Sequence, residues 1–488
     1  MIGVVEKFLN EKGYSNINYD FYNYIKSWTE EWQDKAPWLD IKTVDGKDYP
    51  MYSLGMAKRG CEDLSSIITS EPFRIKAQKN DEILQQDIKN TKILDNLPEN
   101  IEKMGYSGTI ATILRIINAK IVGEGKDATL EKTEDTKIKT ITVDASQIIP
   151  LTIENGEIIN CAFVSEEKRK INNKLVNVYY IELHELQKRG YQISNIYLME
   201  DGKELNIDGV IGTYNTLSQV PLFSICKLPK VNNIKNNNGL GISLYGNAED
   251  QLKMLDLTYN NFGMDFKLGQ KVMVINKKLI RYETVSRTNE NGENVTEKVP
   301  IYPSELHKQQ FVEIDNGLLG NGDEKPYIHE YNPDLRVGDN KAGVQFALDN
   351  YSFKLGYGTH YYSFENGGII TATEAMYSRT DFVNNGVKNR KAVEHYLKGV
   401  CKSILLCEKM LGANVDENTE IEIAEADGYL VNDETQREKL LSDYSAGLIS
   451  KSTYLKKVYN MTDKEIKEEL TKIDSEDNIE LPEESIEE

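Results

Sequence analysis

Apolar positions in the first 120 residues recur at the three- and four-residue spacing of helices. Phe21, Ile25, Trp28 and Trp32 form one such stripe, and a second one ends just before Pro72, which cannot continue a helix. The pattern predicts helices over 21–32, 54–70, 81–96 and 99–120.

Near residue 137 the pattern changes to the alternation typical of strands. Four runs rich in Val, Ile, Thr and Tyr are separated by turn residues such as Asn155-Gly156 and Arg189-Gly190. They cover 139–153, 158–165, 176–186 and 192–199 and predict an antiparallel meander. The Asn- and Gly-rich stretch 228–240 predicts a loop at a domain boundary.

The clearest periodic signal alternates steps of four and three, which indicates a helix packed along another helix. Its stripe consists of Ala248, Leu252, Leu255, Tyr259, Phe262 and Phe266. The predicted helix covers 243–268 and would be about 39 Å long. A shorter stripe of Val344, Leu348, Tyr351 and Leu355 predicts its partner helix. Strand-like pieces at 272–276, 279–285, 295–301 and 311–314 predict a small mixed module between the two helices, over about 269–338.

A loop rich in glycine and aromatic residues follows, and a long helix then begins. Thr371 is placed to cap this helix, and Glu374 to bond back to the cap, which is the arrangement of a capping box. The pattern leaves open whether Gly386 bends or breaks the helix. Ser450 and Thr462 predict caps of two later helices, and the acidic stretch 474–488 is typical of a disordered segment.

At 488 residues the chain is too long for one compact core, so we expect several domains of α+β class.

The net charge of the chain, −20, argues against a conventional nucleic-acid binder, which neutralises phosphates with Lys and Arg. Two readings remain. The acidity keeps the chain soluble, or it prevents a polyanion that moves through the protein from binding tightly. The absence of a long apolar run predicts no membrane partner, and the charged start of the chain predicts a cytoplasmic site of synthesis and assembly.

No motif for chemistry stands out. The chain lacks a phosphate-binding loop, a nucleophile elbow and the His spacing of a zinc site. Five scattered cysteines without a C-x-x-C pair predict reduced core thiols. We therefore expect no catalytic residue, no metal and no cofactor, and we expect that the chain is not an enzyme.

Several motifs, and the order in which they follow one another along the chain, resemble the portal proteins of tailed bacteriophages, in the branch found in phages of low-GC Gram-positive hosts. The likeness covers most of the chain and is strongest over 221–266 and 356–411. It includes Ala57-Lys58-Arg59-Gly60-Cys61-Glu62-Asp63, Asn238-Gly239-Leu240-Gly241-Ile242-Ser243, Gly368-Ile369-Ile370-Thr371-Ala372-Thr373-Glu374-Ala375 and Gly447-Leu448-Ile449-Ser450.

The resemblance implies a multi-domain portal fold with a helical stem, a mixed α/β clip, a wing with an antiparallel sheet and a helical crown. Residues 1–242 would form the wing, 243–268 and 340–357 the two stem helices, and 269–339 the clip between them. Residues 358–370 would form the tunnel loop, 371–412 a long wing helix and 413–473 the crown, before the acidic tail 474–488.

By the same resemblance the chain would form a ring, of twelve subunits in this family, at one vertex of the virion capsid. Double-stranded DNA would pass through it without sequence specificity. Its protein partners would be the terminase, the head-completion or adaptor protein, and the major capsid and scaffolding proteins. A DNA-processing enzyme without a recognisable motif and a soluble adaptor remain as alternatives.

The implied channel residues lie in the tunnel loop or next to it: Tyr357, His360, Tyr361, Tyr362, Phe364, Glu365 and Asn366. Their aromatic rings would contact DNA or, in the alternative, pack between neighbouring loops. Lys267 and Lys271 would contact phosphates weakly or, equally, stand as solvated lysines at a helix C-terminus.

Overall fold

The computed structural model describes residues 2–42, 48–122, 129–171, 174–207, 210–276, 281–288, 294–301, 311–314, 328–363, 372–424, 440–459, 466–467 and 469–473. These residues form an α+β fold with several small sheets that are mostly antiparallel, which confirms the predicted class. One large cluster of buried apolar side chains extends from Val5 on the first helix to Ile421 near the end of the described chain.

Helices dominate the first hundred residues, as predicted. They are α1 (Ile2–Glu11), α2 (Phe21–Trp32), α3 (Met56–Ile68), α4 (Asp81–Thr91) and α5 (Leu97–Ser107), with short strands β1 (Asp40–Lys42), β2 (Asp48–Pro50) and β3 (Ile75–Ala77) between them. The predicted helix over 99–120 is wrong beyond Ser107. Gly108 ends α5 in a left-handed conformation (φ 77°), and the Ile-rich run that follows is strand β4 (Thr109–Ile117).

The predicted meander is confirmed. Strands β8 (Ile148–Glu154), β9 (Glu157–Ile171), β10 (Lys174–Gln187), β11 (Gly190–Met199) and β12 (Thr213–Asn215) pair in sequence order, all antiparallel. The run predicted over 139–153 is two strands rather than one. β7 (Lys137–Asp144) ends at a 3₁₀ turn, Ala145–Gln147, because the Asp144 carboxylate accepts a bond from the Ser146 N–H and turns the chain.

A second sheet joins β4 to β7 on one side and to β13 (Phe223–Lys227) on the other. A small hairpin of β5 (Lys120–Val122) and β6 (Thr129–Glu131) lies between β4 and β7 in sequence. After β13 the stretch 228–240 is a loop, as predicted.

The predicted pair of long helices is present, with shifted starts. They are α6 (Glu249–Leu268), about 30 Å long, and α7 (Val337–Leu355). The first begins six residues later than predicted, because backbone N–H groups within 241–244 donate to residues of α5 and β4 instead of forming a helical turn. The Gly241 N–H donates to Thr109 Oγ1 (2.7 Å) and the Leu244 N–H donates to the Gly105 carbonyl (2.8 Å), at the corner between α5 and β4.

Strands occupy the described part of the predicted module between these helices. β14 (Val272–Asn276) pairs with β17 (Phe311–Ile314) in parallel and with β18 (Ile328–Tyr331) in antiparallel fashion, and β15 (Tyr282–Thr288) pairs with β16 (Asn294–Pro300). The sequence pattern did not predict β18. No helix is found within the module among the residues that the structure describes.

The long helix α8 covers Ala372–Met410 without a break at Gly386, which answers the question that the sequence left open. Beyond it, β19 (Ile421–Ile423) pairs with β3, and α9 (Lys451–Tyr459) follows. The Ser450 hydroxyl accepts a bond from the Thr453 N–H (3.2 Å), so the predicted cap is confirmed. Thr371, Thr462 and the stretch 474–488 lie outside the described residues, as does the Glu374 side chain.

Candidate functional site

The helix pair α6 and α7 is held at both ends, which makes it the most clearly built feature of the molecule. At the far end, the Asp265 carboxylate accepts bonds from the Arg336 N–H (3.0 Å) and guanidinium (2.8 Å) and from the Asn340 amide (3.0 Å), so the end of α6 meets the start of α7. At the near end, the Lys230 ammonium donates to the carbonyls of Leu244 (3.3 Å) and Leu355 (3.2 Å). The two helices are therefore antiparallel.

The predicted seam lies between these helices along the near half of the pair. Its buried members are Leu252, Leu255, Val344, Leu348, Tyr351 and Leu355. Tyr259 and Phe262 are half-buried. Phe266 contacts the Phe262 ring at 5.3 Å and remains 49% exposed within one chain.

Each helix carries a second apolar stripe on the side opposite the seam. Met254 and Leu257 on α6, and Phe346 and Phe353 on α7, each follow a seam residue by two positions, which is about 200° around a helix. Their exposed fractions are 41%, 48%, 60% and 64%. Large aromatic residues on the solvent side of a helix indicate an interaction surface. We call these four residues the outer stripes.

Buried polar groups fix the near end of α6 to the first helices. The Asp256 carboxylate accepts bonds from Trp38 Nε1 (3.0 Å), the Ser53 hydroxyl (3.0 Å) and the Leu54 N–H (3.2 Å). Burial raises the pKa of Asp256, and these bonds partly offset that effect. Trp28 Nε1 donates to Glu249 in the first turn of α6 (2.8 Å). Burial lowers the pKa of Lys230 to about 8.

The residues after α7 form an aromatic turn, 357–363, that packs against its own chain. Tyr357 is 1% exposed and its hydroxyl donates to the Gly60 carbonyl (2.8 Å), so its ring packs inside its own chain rather than on an open surface. The Tyr362 hydroxyl donates to Asp63 (2.8 Å), and the Tyr361 ring stacks on Phe382 of α8 at 4.5 Å. Burial outweighs the bonds from Tyr362 and Arg59 and raises the pKa of Asp63.

His360 is one of the exposed residues of the aromatic turn. Its side chain is 73% exposed, its φ is 64°, and its Nδ1 lies 2.9 Å from an Asp349 carboxylate oxygen. The other predicted loop residues, Phe364, Glu365 and Asn366, lie outside the described part of the chain.

The two lysines predicted near the end of α6 differ in their surroundings. Lys271 Nζ lies 2.6 Å from a carboxylate oxygen of Glu330 on β18, so its charge is already paired within the module. Lys267 is exposed in the last turn of α6.

Several residues that hold this region together were not predicted from the sequence. The Asn385 amide donates to the carbonyls of Leu355 and Gly356 (both 3.3 Å) at the end of α7. Gly386 permits α8 to pass close to Ile67, because a Cβ there would lie 2.5 Å from Ile67 Cδ1. The signal for both was the run Asn384-Asn385-Gly386 inside a predicted helix.

The five cysteines are free and buried, as predicted, and burial raises the pKa of the Cys226 and Cys401 thiols to about 12.

Within the described ranges, no three His, Cys, Asp or Glu side chains lie close enough together to hold a metal ion. None of the described helices has the length and apolarity that crossing a membrane requires. The chain matches no protein-family model and no curated protein.

Proposed function

We propose that this chain is the portal subunit of a tailed bacteriophage. In this proposal identical copies form a ring, of twelve subunits by the resemblance, at one capsid vertex. Double-stranded DNA enters and leaves through its opening. The ring would act in the virion after assembly in the host cytoplasm.

The observation that carries the proposal is the helix pair α6 and α7 with its outer stripes. The near half of the seam is buried within one chain, while a second apolar stripe on each helix faces away from it. Stripes on opposite flanks suit a heterologous contact, in which α6 of one copy meets α7 of the next, and such contacts close into a ring. The pair would form the stem of the portal.

The order of the remaining parts supports the same proposal. The strand module β14–β18 lies in sequence between the stem helices, as a clip does, and would contact the terminase and the head-completion protein. Residues 1–242 and α8 would form the wing, and residues after 413 the crown, toward the scaffolding and major capsid proteins. His360 is the described residue of the aromatic turn best exposed to contact DNA, since Tyr357 is buried and Tyr361 and Tyr362 are half-buried.

DNA passage fits the charge of the chain. With a net charge of −20, the subunit presents few sites where phosphates would bind tightly, so movement would meet shallow barriers.

Native mass spectrometry of the purified chain at tens of micromolar tests the proposal. We expect a closed oligomer of about twelve copies, and negative-stain images of it should show a ring with a central opening. A chain that stays monomeric at that concentration would count against the portal.

A further inference from the structure

The hairpin of β9 and β10 extends beyond the sheet to which it belongs. Phe163 is the last residue of β9 that pairs with β8, and Val178 is the first residue of β10 that pairs with β11. Residues 168–171 and 174–177 therefore continue as two strands paired only with each other. We call this extension the basic ribbon. No described strand pairs with its outer edges, so their backbone N–H and carbonyl groups are available to another segment.

The basic ribbon carries a local positive charge on an acidic molecule. Residues 168–175 read Lys-Arg-Lys-Ile-Asn-Asn-Lys-Leu, with four cations and no carboxylate. Lys168 and Lys170 are exposed, and neither forms an ion pair with any residue that the structure describes. Arg169 is already engaged, with Glu167 (2.8 Å) and with the Tyr197 ring (4.8 Å).

An exposed apolar side chain lies beside these lysines. Leu175 is the cross-strand partner of Lys170, so both side chains lie on the same face, and Leu175 is 74% exposed. Lysines that only protect a strand edge from aggregation need no exposed leucine beside them. Phosphates would pair with the ammonium groups but would leave Leu175 uncovered. The ribbon therefore fits an occupant that is both acidic and apolar.

One segment of this chain has that composition. Residues 474–488 contain eight carboxylates, no Lys or Arg, and the apolar residues Ile479, Leu481 and Ile486. We propose that the basic ribbon binds the segment 474–488. Its carboxylates pair with Lys168 and Lys170, and one of its apolar side chains covers Leu175. The contact does not depend on the portal proposal.

Zero-length carbodiimide cross-linking of the full chain, read by mass spectrometry, tests this contact. The reagent joins a carboxylate to a lysine amine only where the two groups touch. Lys188 is the internal control, because it is exposed in the turn that follows β10, at the end of the strand away from the ribbon. We expect cross-links from 474–488 to Lys168 and Lys170 to exceed those to Lys188 at least about fivefold, and to fall several-fold at 0.5 M NaCl as the charges are screened.

A competition experiment gives the second readout. Excess free peptide 474–488 should suppress these cross-links, and a peptide with Ile479, Leu481 and Ile486 changed to Ser should suppress them at least about threefold less. Cross-links that are absent, or equal at all three lysines, would overturn the proposal. So would cross-links that a 30-bp DNA duplex displaces and the peptide does not, because the ribbon would then bind phosphates. If the cross-links persist when the protein is diluted, the contact lies within one chain. If dilution removes them, the contact lies between copies of the chain.

Discussion

Glu31 on α2 shows how one buried carboxyl group makes stability depend on pH. It is 3% exposed, and its Oε2 atom has no hydrogen-bond partner among the described residues. Burial, and then the nearby Glu249 carboxylate, raise the pKa of Glu31 from 4.5 to about 8. Between these values the folded chain retains a proton that the unfolded chain has released. Stability therefore falls as the pH rises from 4.5 to 8 and changes no further above it.

Glu31→Gln removes this dependence because the amide does not titrate. We expect the variant to raise the melting temperature by about 2 °C or more at pH 8.5, and by less than about 1 °C at pH 4.5. Differential scanning calorimetry at both pH values measures the effect. Glu11→Gln, at the exposed end of α1, is the control. It does not act on the pKa of Glu31, so it should change neither value. Equal shifts at both pH values for Glu31→Gln would contradict the account.

Tyr362 and Asp63 give a second test at the level of single residues. Tyr362→Phe removes the bond to Asp63 (2.8 Å) and leaves a mostly buried carboxylate with only Arg59. We expect a loss of about 1–2 kcal/mol in the free energy of unfolding, measured by urea denaturation. The exposed Tyr24→Phe should change it by less than about 0.5 kcal/mol. No loss for Tyr362→Phe would show that this bond does not anchor the aromatic turn.

Between elements, two glycines decide how the helix pair joins the first helices. A Cβ on Gly241 would lie 2.3 Å from the Gly108 carbonyl oxygen, and one on Gly108 would lie 2.5 Å from the Ile242 carbonyl carbon. Both contacts are with backbone, which cannot rotate away. The segment before α6 can therefore pack against the turn between α5 and β4 only when both positions lack a side chain.

Gly241→Ala tests this close approach. We expect a loss of about 3 kcal/mol or more, or failure to fold, because backbone must shift. Gly343→Ala is the matched control. It lies in α7 with no atom within 4 Å of its Cβ position, so alanine should stabilise the chain by up to about 1 kcal/mol. Chemical denaturation compares the two, and similar effects would show that the contact carries no special constraint.

The sequence predicted elements well where the apolar pattern was long and periodic. The seam of α6 and α7 and the meander β8–β11 are examples, because each buries one regular face. It failed at 109–120, where Ile spacing fits helix and strand alike and only Gly108 marks the boundary. It also gave no sign of the bonds of Tyr357 and Asn385, whose partners, Gly60 and Leu355, lie far away in sequence. Such contacts depend on the assembled fold, which local patterns do not contain.

On the scale of the whole molecule, the outer stripes make assembly testable by substitution. Phe346→Ser with Phe353→Ser should weaken self-association at least about tenfold, measured by sedimentation velocity, because buried aromatic anchors dominate interfaces. Since both side chains are exposed in one chain, the melting temperature of the monomer should hold within about 2 °C. Val231→Ser, at a position 89% exposed in the loop 228–240, is the control and should leave self-association intact. Unchanged association of the double variant would remove the outer stripes from the interface.

Electron cryo-microscopy of the purified assembly tests the central claim most directly. The account predicts a ring with an axial opening wide enough for duplex DNA, in which α6 and α7 of adjacent copies meet through Met254, Leu257, Phe346 and Phe353. An assembly without an axial opening, or a ring whose subunits meet elsewhere and leave these four side chains in solvent, would contradict it.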